Sequence, residues 1–331
     1  MAEATIRDVA RLAEVSVASV SRALNGLSNV RPEMREKVAA AAAELGYVPH
    51  AGARSLSLAR AHVIGVVMPD LHGEFFSEFV RGMDRAASQH GYQLLLSNMH
   101  DDGDQAVETL RTMRGRADGL LVMAPHIDPA TLRTALSPGL PAVLIECAGA
   151  IDDRPALRFD NKAGVDAIVR HLVENGFTRI VHISGPQKNL DAQERADAYR
   201  AALAKYAPTS KPAIIPGDFS EEAGEAAAAS IMADGMPYDA VFAGSDMMAV
   251  GCIQALKAAG YDVPRDIAVA GFDDIPLARY FDLTTMRLSI AEMGGDAVDR
   301  LIDLLEGKDV PAGVELHTPE LVVRATTAPR R

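Results

Sequence analysis

The sequence predicts a small all-α head joined to an α/β core of two doubly wound, parallel-sheet lobes. Three observations carry that expectation. The first 45 residues divide into three short amphipathic helices. Pro49 then interrupts the chain, and a short, polar, basic segment, HAGARSLSLAR, follows. From His62 onward, apolar strand-like runs alternate with helical stretches, which implies parallel sheets with right-handed crossovers. Roughly ten such strands exceed one comfortable sheet, so two lobes are expected.

In the head, Thr5 is placed to cap a helix from Ile6 to about Ala13, with Asp8 as the reciprocal partner of a capping box. Ser16 caps a second helix, VASVSRALN, which Gly26 ends. Pro32 suits the first turn of a third, EMREKVAAAAAELG, closed by Gly46. Each carries apolar residues three and four apart: Val9 and Ala13; Val20, Ala23 and Leu24; Val38, Ala42 and Leu45. In the core the strand runs are HVIGVVMP, YQLLLSN, DGLLVMA, AVLIE, IVHISG, AIIPG, DAVFAG and IAVAGFD. Amphipathic segments such as AGVDAIVRHLVENG lie between most of them. Ligands in such folds bind beyond the carboxyl ends of strands.

Composition is that of an ordinary globular protein, 48% hydrophobic and 24% charged over 331 residues. The net charge of −12 argues against a nucleic-acid partner until its distribution is considered. Residues 1–60 hold eight Lys/Arg against six Asp/Glu, a balance of +2, which leaves −14 on the remainder. Only the head is suited to meet phosphate. Cys147 and Cys252 lie in separate apolar runs without metal spacing, which fits a reducing compartment. The opening lacks a secretion signal and no apolar run approaches a membrane span, so a cytoplasmic protein is expected.

The most informative stretch is IRDVARLAEVSVASVSRALNG. Two short helices joined by a tight turn, the second opening on small polar residues, are how a recognition helix enters the major groove. Ser16, Val17, Ala18, Ser21, Arg22 and Asn25 fall on or near the face left exposed. Arg22 is the natural reader of guanine, because its fork matches O6 and N7.

That stretch, followed by VRPEMREKVAAAAAELGYVPH and ARSL, resembles the DNA-binding head of the LacI/GalR family of bacterial regulators. GEFFSEFVRGMDRAASQHGYQLLLSN, RADGLLVMAP, LRFDNKAG, ISGP, GSDMMAVGCIQAL and VPRDIAVAGFDDIPLARYFDLTTMR follow that family's pattern in order. The resemblance implies a helix-turn-helix head over 1–49, a hinge over 50–60 and an effector-binding and dimerisation core over 61–331. The core would resemble periplasmic sugar-binding proteins, with one lobe from about 61–160 and 290–318 and the other from about 161–289 and 319–331. Val17, Ala18 and Arg22 then choose operator sequence, while Thr5, Ser16, Ser21, Asn25 and Asn29 meet phosphate or base edges. Ala53 and Leu56 match the hinge, with Leu56 of each subunit a minor-groove wedge; an apolar wedge there partly unstacks a step and kinks the duplex. Glu14 departs from the family, which usually has Gly at that turn, at a cost of about 1–2 kcal/mol if the left-handed geometry is kept.

The resemblance also places an effector between the lobes. Asp70, Phe75 and Phe76 follow the first core strand, and Glu146 and Phe159 end later ones. Asp191, Arg195, Phe219, Ser245 and Asp273 come from the second lobe. Carboxylates and an Arg suit vicinal hydroxyls, and Phe faces suit the C–H surface of a sugar ring. Structural roles are expected for their neighbours: Asp246, Asp160 and Asn161 as helix caps, His182 at a strand end and His171 on the surface. With Glu146, Asp191 and Asp273 as acceptors against the single cation Arg195, the effector is expected to be a neutral polyhydroxylated molecule; Arg158 or Lys188 turned inward would admit a sugar acid.

No G-x-G-x-x-G follows the first strand, and no P-loop, nucleophile elbow or H-E-x-x-H occurs, so neither catalysis nor a cofactor is expected. A periplasmic binding protein would share the core but not the head. One head touches few base pairs, so the expected partner is a near-palindromic operator gripped by a homodimer.

Overall fold

The computed structural model describes residues 4–24, 30–48, 60–99, 103–136, 139–149, 151 and 154–329. The chain falls into two compact units, residues 1–63 with 116–118, and 64–115 with 119–331.

The first unit contains α1 (Ile6–Leu12), α2 (Val17–Leu24) and α3 (Pro32–Glu44). The Asp8 carboxylate accepts from both the backbone N–H and the hydroxyl of Thr5, at 3.0 and 2.6 Å. Ser16 Oγ accepts the Ser19 N–H at 3.1 Å and so opens α2. Between the two helices Glu14 takes φ 51°, the left-handed geometry that favours glycine. The turn is closed by the Val15 N–H on the Ala10 carbonyl at 3.0 Å. Glu14 also reaches Lys37 of α3 at 3.0 Å, but both side chains are exposed, so the pair offsets little of the strain. Val9, Ala13, Val20, Val38 and Ala42 form the buried centre of the three helices.

The second unit runs β1 (Val63–Met68), α4 (Glu74–Gln89), β2 (Gln93–Asn98), α5 (Gly103–Met113), β3 (Gly119–Met123), α6 (Pro129–Ala135), β4 (Ala142–Ile145) and β5 (Pro155–Phe159). It continues through α7 (Asn161–Glu174), β6 (Ile180–Ile183), α8 (Leu190–Tyr206), β7 (Ala213–Ile215), α9 (Glu221–Ala233), β8 (Ala240–Ala243), α10 (Asp246–Ala258) and β9 (Ala268–Ala270). It ends with β10 (Thr285–Arg287), α11 (Ile290–Leu305), β11 (Gly313–His317) and β12 (Glu320–Val322).

Two sheets result. One has six strands in the order β11-β5-β4-β3-β1-β2, the other four in the order β7-β6-β8-β9. Pairing is parallel from β1 through β3, β4 and β5 to β11, and throughout the second sheet. Strands β3, β4, β6, β8 and β9 are buried along their whole length, because helices cover both faces. That is why they read as unbroken apolar runs. The strands β5, β10, β11 and β12 were not among those runs, since Arg158, Arg287, Glu315 and Glu320 interrupt their apolar character.

The chain passes between the lobes three times: after β5, after β10 and after β11. Helix α11 returns to pack on α4, β3 and β4, and β11 joins the edge of the first sheet. Strands β10 and β12 pair antiparallel, and single bridges tie Thr284 and Arg287 to Ala270 and Asp273 beyond β9. Each lobe has one helix pair packed through glycine. A Cβ on Gly82 of α4 would lie 2.0 Å from the Ala291 carbonyl oxygen of α11. A Cβ on Gly224 of α9 or Gly251 of α10 would lie 2.0 Å from the Met248 or Glu221 carbonyl oxygen of the partner helix.

Candidate functional site

On the head, Ser16, Val17, Ala18 and Arg22 are exposed along α2, with Ser21 half-buried, and Thr5 is exposed at the start of α1. Val20 and Ala23, on the other side of the same helix, are buried. The 3.6-residue repeat thus leaves one exposed face, mixed in character, with Arg22 near its end. Arg22 Nε donates to the Ala18 carbonyl at 3.2 Å. Asn25, Asn29, Ala53 and Leu56, with the rest of the expected hinge, lie outside the described residues.

In the second unit a cavity of about 320 Å³ opens between the lobes. Asp70, Phe75, Phe76 and Glu146 line it from the six-stranded side; Asp191, Arg195, Phe219, Ser245 and Asp273 line it from the other. Of the residues expected there, Phe159 is the exception. It is 2% exposed and packs in the core. Successive side chains of a strand point to opposite faces, so on β5 the Phe159 ring and the Arg158 side chain lie on opposite sides of the sheet. Phe159 contributes only its N–H, donated to Glu146 Oε1 at 2.7 Å.

Three lining residues hold left-handed backbone: Glu146 at φ 47°, Phe219 at φ 74° and Asp273 at φ 125°. Such strain concentrates where the chain must aim a side chain. The Phe219 ring lies over Gly185, where a Cβ would meet it at 2.2 Å. Arg195 is 5% exposed. Its Nη1 donates to the Gly244 carbonyl at 2.6 Å and lies 3.7 Å from Asp273 Oδ1, and its guanidinium stands 4.0 Å over the Phe272 ring. Burial pushes the Asp273 carboxyl well up, against the pull of Arg195. Burial and the neighbouring Asp191 do the same to Glu146, with Arg158 opposing.

Sequence reasoning missed two acids, a histidine and a polar layer. Asp218, Glu221 and His72 also line the cavity. Beneath it, Arg158 Nη2 meets Glu194 Oε2 at 2.7 Å, and Asn161 bonds to Asp191, Glu194 and Arg195. Neither Arg158 nor Lys188 lines the cavity; Lys188 is exposed to solvent.

The expected caps are corrected in part. Asp160 does cap α7, accepting the Ala163 N–H at 2.9 Å, but Asn161 does not. Ser245, not Asp246, caps α10, accepting the Met248 N–H at 3.2 Å while it lines the cavity. Asp246 is buried and accepts from the Thr285 hydroxyl at 2.6 Å and the Ile275 N–H at 3.0 Å. His182 lies inside β6, stacked on Phe242, and burial lowers its pKa to about 4. His171 is half-buried, with its Nε2 2.8 Å from Thr327 Oγ1. Among the described residues no His/Cys/Asp/Glu cluster could hold a metal, and no helix is long and apolar enough to cross a membrane.

Residues 5–50 match the model of bacterial regulatory proteins of the lacI family, and residues 169–327 match a periplasmic binding protein-like domain. The ribose operon repressor of Escherichia coli K12 is 38% identical over 305 residues, covering 90% of this chain and 92% of that protein. The HTH-type transcriptional repressor CytR of the same organism is 33% identical over 329 residues, covering 98% and 96%. Among solved structures, the lac repressor dimer bound to operator and an anti-inducer superposes with a TM-score of 0.86 at 29% identity, covering 99% of this chain and all of that one. The chain belongs to the lacI family of bacterial regulatory proteins and is a DNA-binding transcriptional regulator of that family.

Proposed function

We propose that the chain is a repressor of carbohydrate-utilisation genes, released from its operator by a neutral polyol, a mono- or disaccharide or glycoside. The reading divides the chain into a DNA-binding head over 1–49, a hinge over 50–60 and an effector core over 61–331. Thr5, Ser16, Val17, Ala18, Ser21 and Arg22 meet the operator, with Arg22 on a guanine edge.

The observation that carries the ligand class is the cavity. It offers six carboxyls, from Asp70, Glu146, Asp191, Asp218, Glu221 and Asp273, and one Lys or Arg, Arg195. A phosphate there would be left short of partners for its charge, and a buried unpaired charge costs several kcal/mol. Hydroxyls find acceptors on the acids and a donor fork on Arg195. Phe75 and Phe219 supply faces for a ring. Arg158 is engaged by Glu194, which argues against a sugar acid. The relatives are consistent: one is named for the ribose operon.

Isothermal calorimetry against neutral monosaccharides, D-glucuronate, D-ribose 5-phosphate and adenine tests this. A neutral sugar is expected to bind, and Arg195→Ala or Asp273→Ala to weaken it by about 1.5–3 kcal/mol each, the worth of a hydrogen bond to a charged group. Binding of the phosphate or the purine that survives both substitutions would show the pocket has been misread.

A further inference from the structure

Asn161 opens α7 directly after the first crossover between lobes, and is 1% exposed. Its amide nitrogen donates to Asp191 Oδ1 at 2.9 Å and to Glu194 Oε2 at 3.0 Å. Its amide oxygen accepts from Arg195 Nε at 2.8 Å. Two carboxylates on one side and a guanidinium on the other admit only one orientation of that amide. Every hydrogen-bonding direction the site demands is met by one neutral side chain. All three partners lie near the start of α8, and two of them, Asp191 and Arg195, line the cavity. Asn161 itself does not.

We propose that Asn161 is a positioning residue of the pocket, fixing the Asp191 carboxylate and the Arg195 guanidinium as a matched acceptor and donor for adjacent ligand hydroxyls. The identity of the ligand rests on the polyol reading above; the positioning rests on the hydrogen bonds alone. Arg195 has further supports in the Gly244 carbonyl and the Phe272 ring, but among the described residues only Asn161 joins it to Asp191 through a single group. The neutrality of the residue matters. The charged groups around it are Asp191, Glu194 and Arg195 on α8, Arg158 on β5, Glu146 after β4 and Asp273 after β9. An aspartate at 161 would keep the acceptor for Arg195 but set a third carboxylate against Asp191 and Glu194. Protonation of that carboxyl would restore a donor. A leucine would restore nothing.

The test uses the full-length protein with Asn161→Asp and Asn161→Leu, each checked for folding by circular dichroism. The first readout needs no ligand: the Nε–H resonance of Arg195 in protein labelled at arginine nitrogen. A slowly exchanging signal is expected in wild type and Asn161→Asp and lost in Asn161→Leu. The second is calorimetric titration with D-ribose. Asn161→Asp should bind about tenfold to a hundredfold more weakly than wild type near pH 7.5, and the deficit should shrink as pH falls, because the Asp191 and Glu194 carboxylates favour protonation of the new carboxyl. Asn161→Leu should stay weak at both. Wild-type D-ribose affinity in Asn161→Leu, or a deficit in Asn161→Asp that ignores pH, overturns the role. If D-ribose gives no heat even with wild type, the polyol reading is at fault, and the Arg195 resonance decides alone: its persistence in Asn161→Leu overturns the positioning. Should Asn161→Leu not fold, loss of the resonance from Asn161→Asp does so instead.

Discussion

Asp246 shows what burial does to a single carboxyl. It is 0% exposed, and burial raises its pKa from 3.8 to about 7, in spite of the hydrogen bonds from Thr285 and Ile275 that favour the anion. In the unfolded chain the same group ionises near pH 4. Between those two values the folded state holds a proton that the unfolded state has lost, so stability is full below about pH 4 and falls as pH rises through about 7, at about 1.4 kcal/mol per pH unit at most. Asp246→Asn, a neutral mimic of the protonated form, is expected to flatten this fall. Urea denaturation at a series of pH values checks it, and parallel curves for the two proteins would remove Asp246 as the cause. The position also marks where sequence stops informing. In GSDMM both Ser245 and Asp246 have side chains suited to a cap; the cap needs extended backbone just outside the helix, and Ser245 has it at φ −149°, ψ 160°. Asn161 was misjudged for the same reason, one residue inside Asp160. The lining residues Arg195 and Asp273 were legible only through family pattern, since nothing local marks an Arg on a helix as buried.

Within elements, the glycines of the helix pairs carry opposite meanings that composition cannot separate. Gly251 faces the Glu221 carbonyl oxygen at 2.0 Å from an added Cβ, so α9 and α10 would have to part. Gly295 of α11 has nothing nearer than 4.0 Å. Gly251→Ala is therefore expected to destabilise by about 1–3 kcal/mol through overpacking. Gly295→Ala should gain up to ~1 kcal/mol from helix propensity. Denaturation midpoints decide, and equal shifts of the same sign would contradict the packing account. The elements themselves were readable where their pattern is local. The capping chemistry of Thr5, Asp8, Ser16 and Pro32 marks the three head helices correctly. Phe159 was misplaced because a two-residue repeat flips every side chain with one step of phase, and LRF contains no residue that fixes the phase.

At the scale of the whole molecule, a sugar acting as inducer must lower operator affinity. Linkage then requires operator DNA to weaken sugar binding by the same factor, typically ~5–150-fold. Gel-shift titrations with and without sugar, paired with calorimetry with and without operator, measure both sides of the cycle. Operator binding that tightens on adding sugar would make the chain a corepressor-dependent regulator instead. The three crossings between lobes have a separate consequence, for the order in which the protein is made. All four strands of the second sheet lie between Ile180 and Ala270, so that sheet is complete in sequence once Ala270 has been added. The first sheet begins earlier but waits for α11 and for β11 at Gly313–His317. At translation rates of ~5–20 residues per second, the interval is roughly 2–10 s. Throughout it, the half of the core encoded later has every strand it needs, while the half encoded first exposes the bare edge of β5 to whatever strand is nearby.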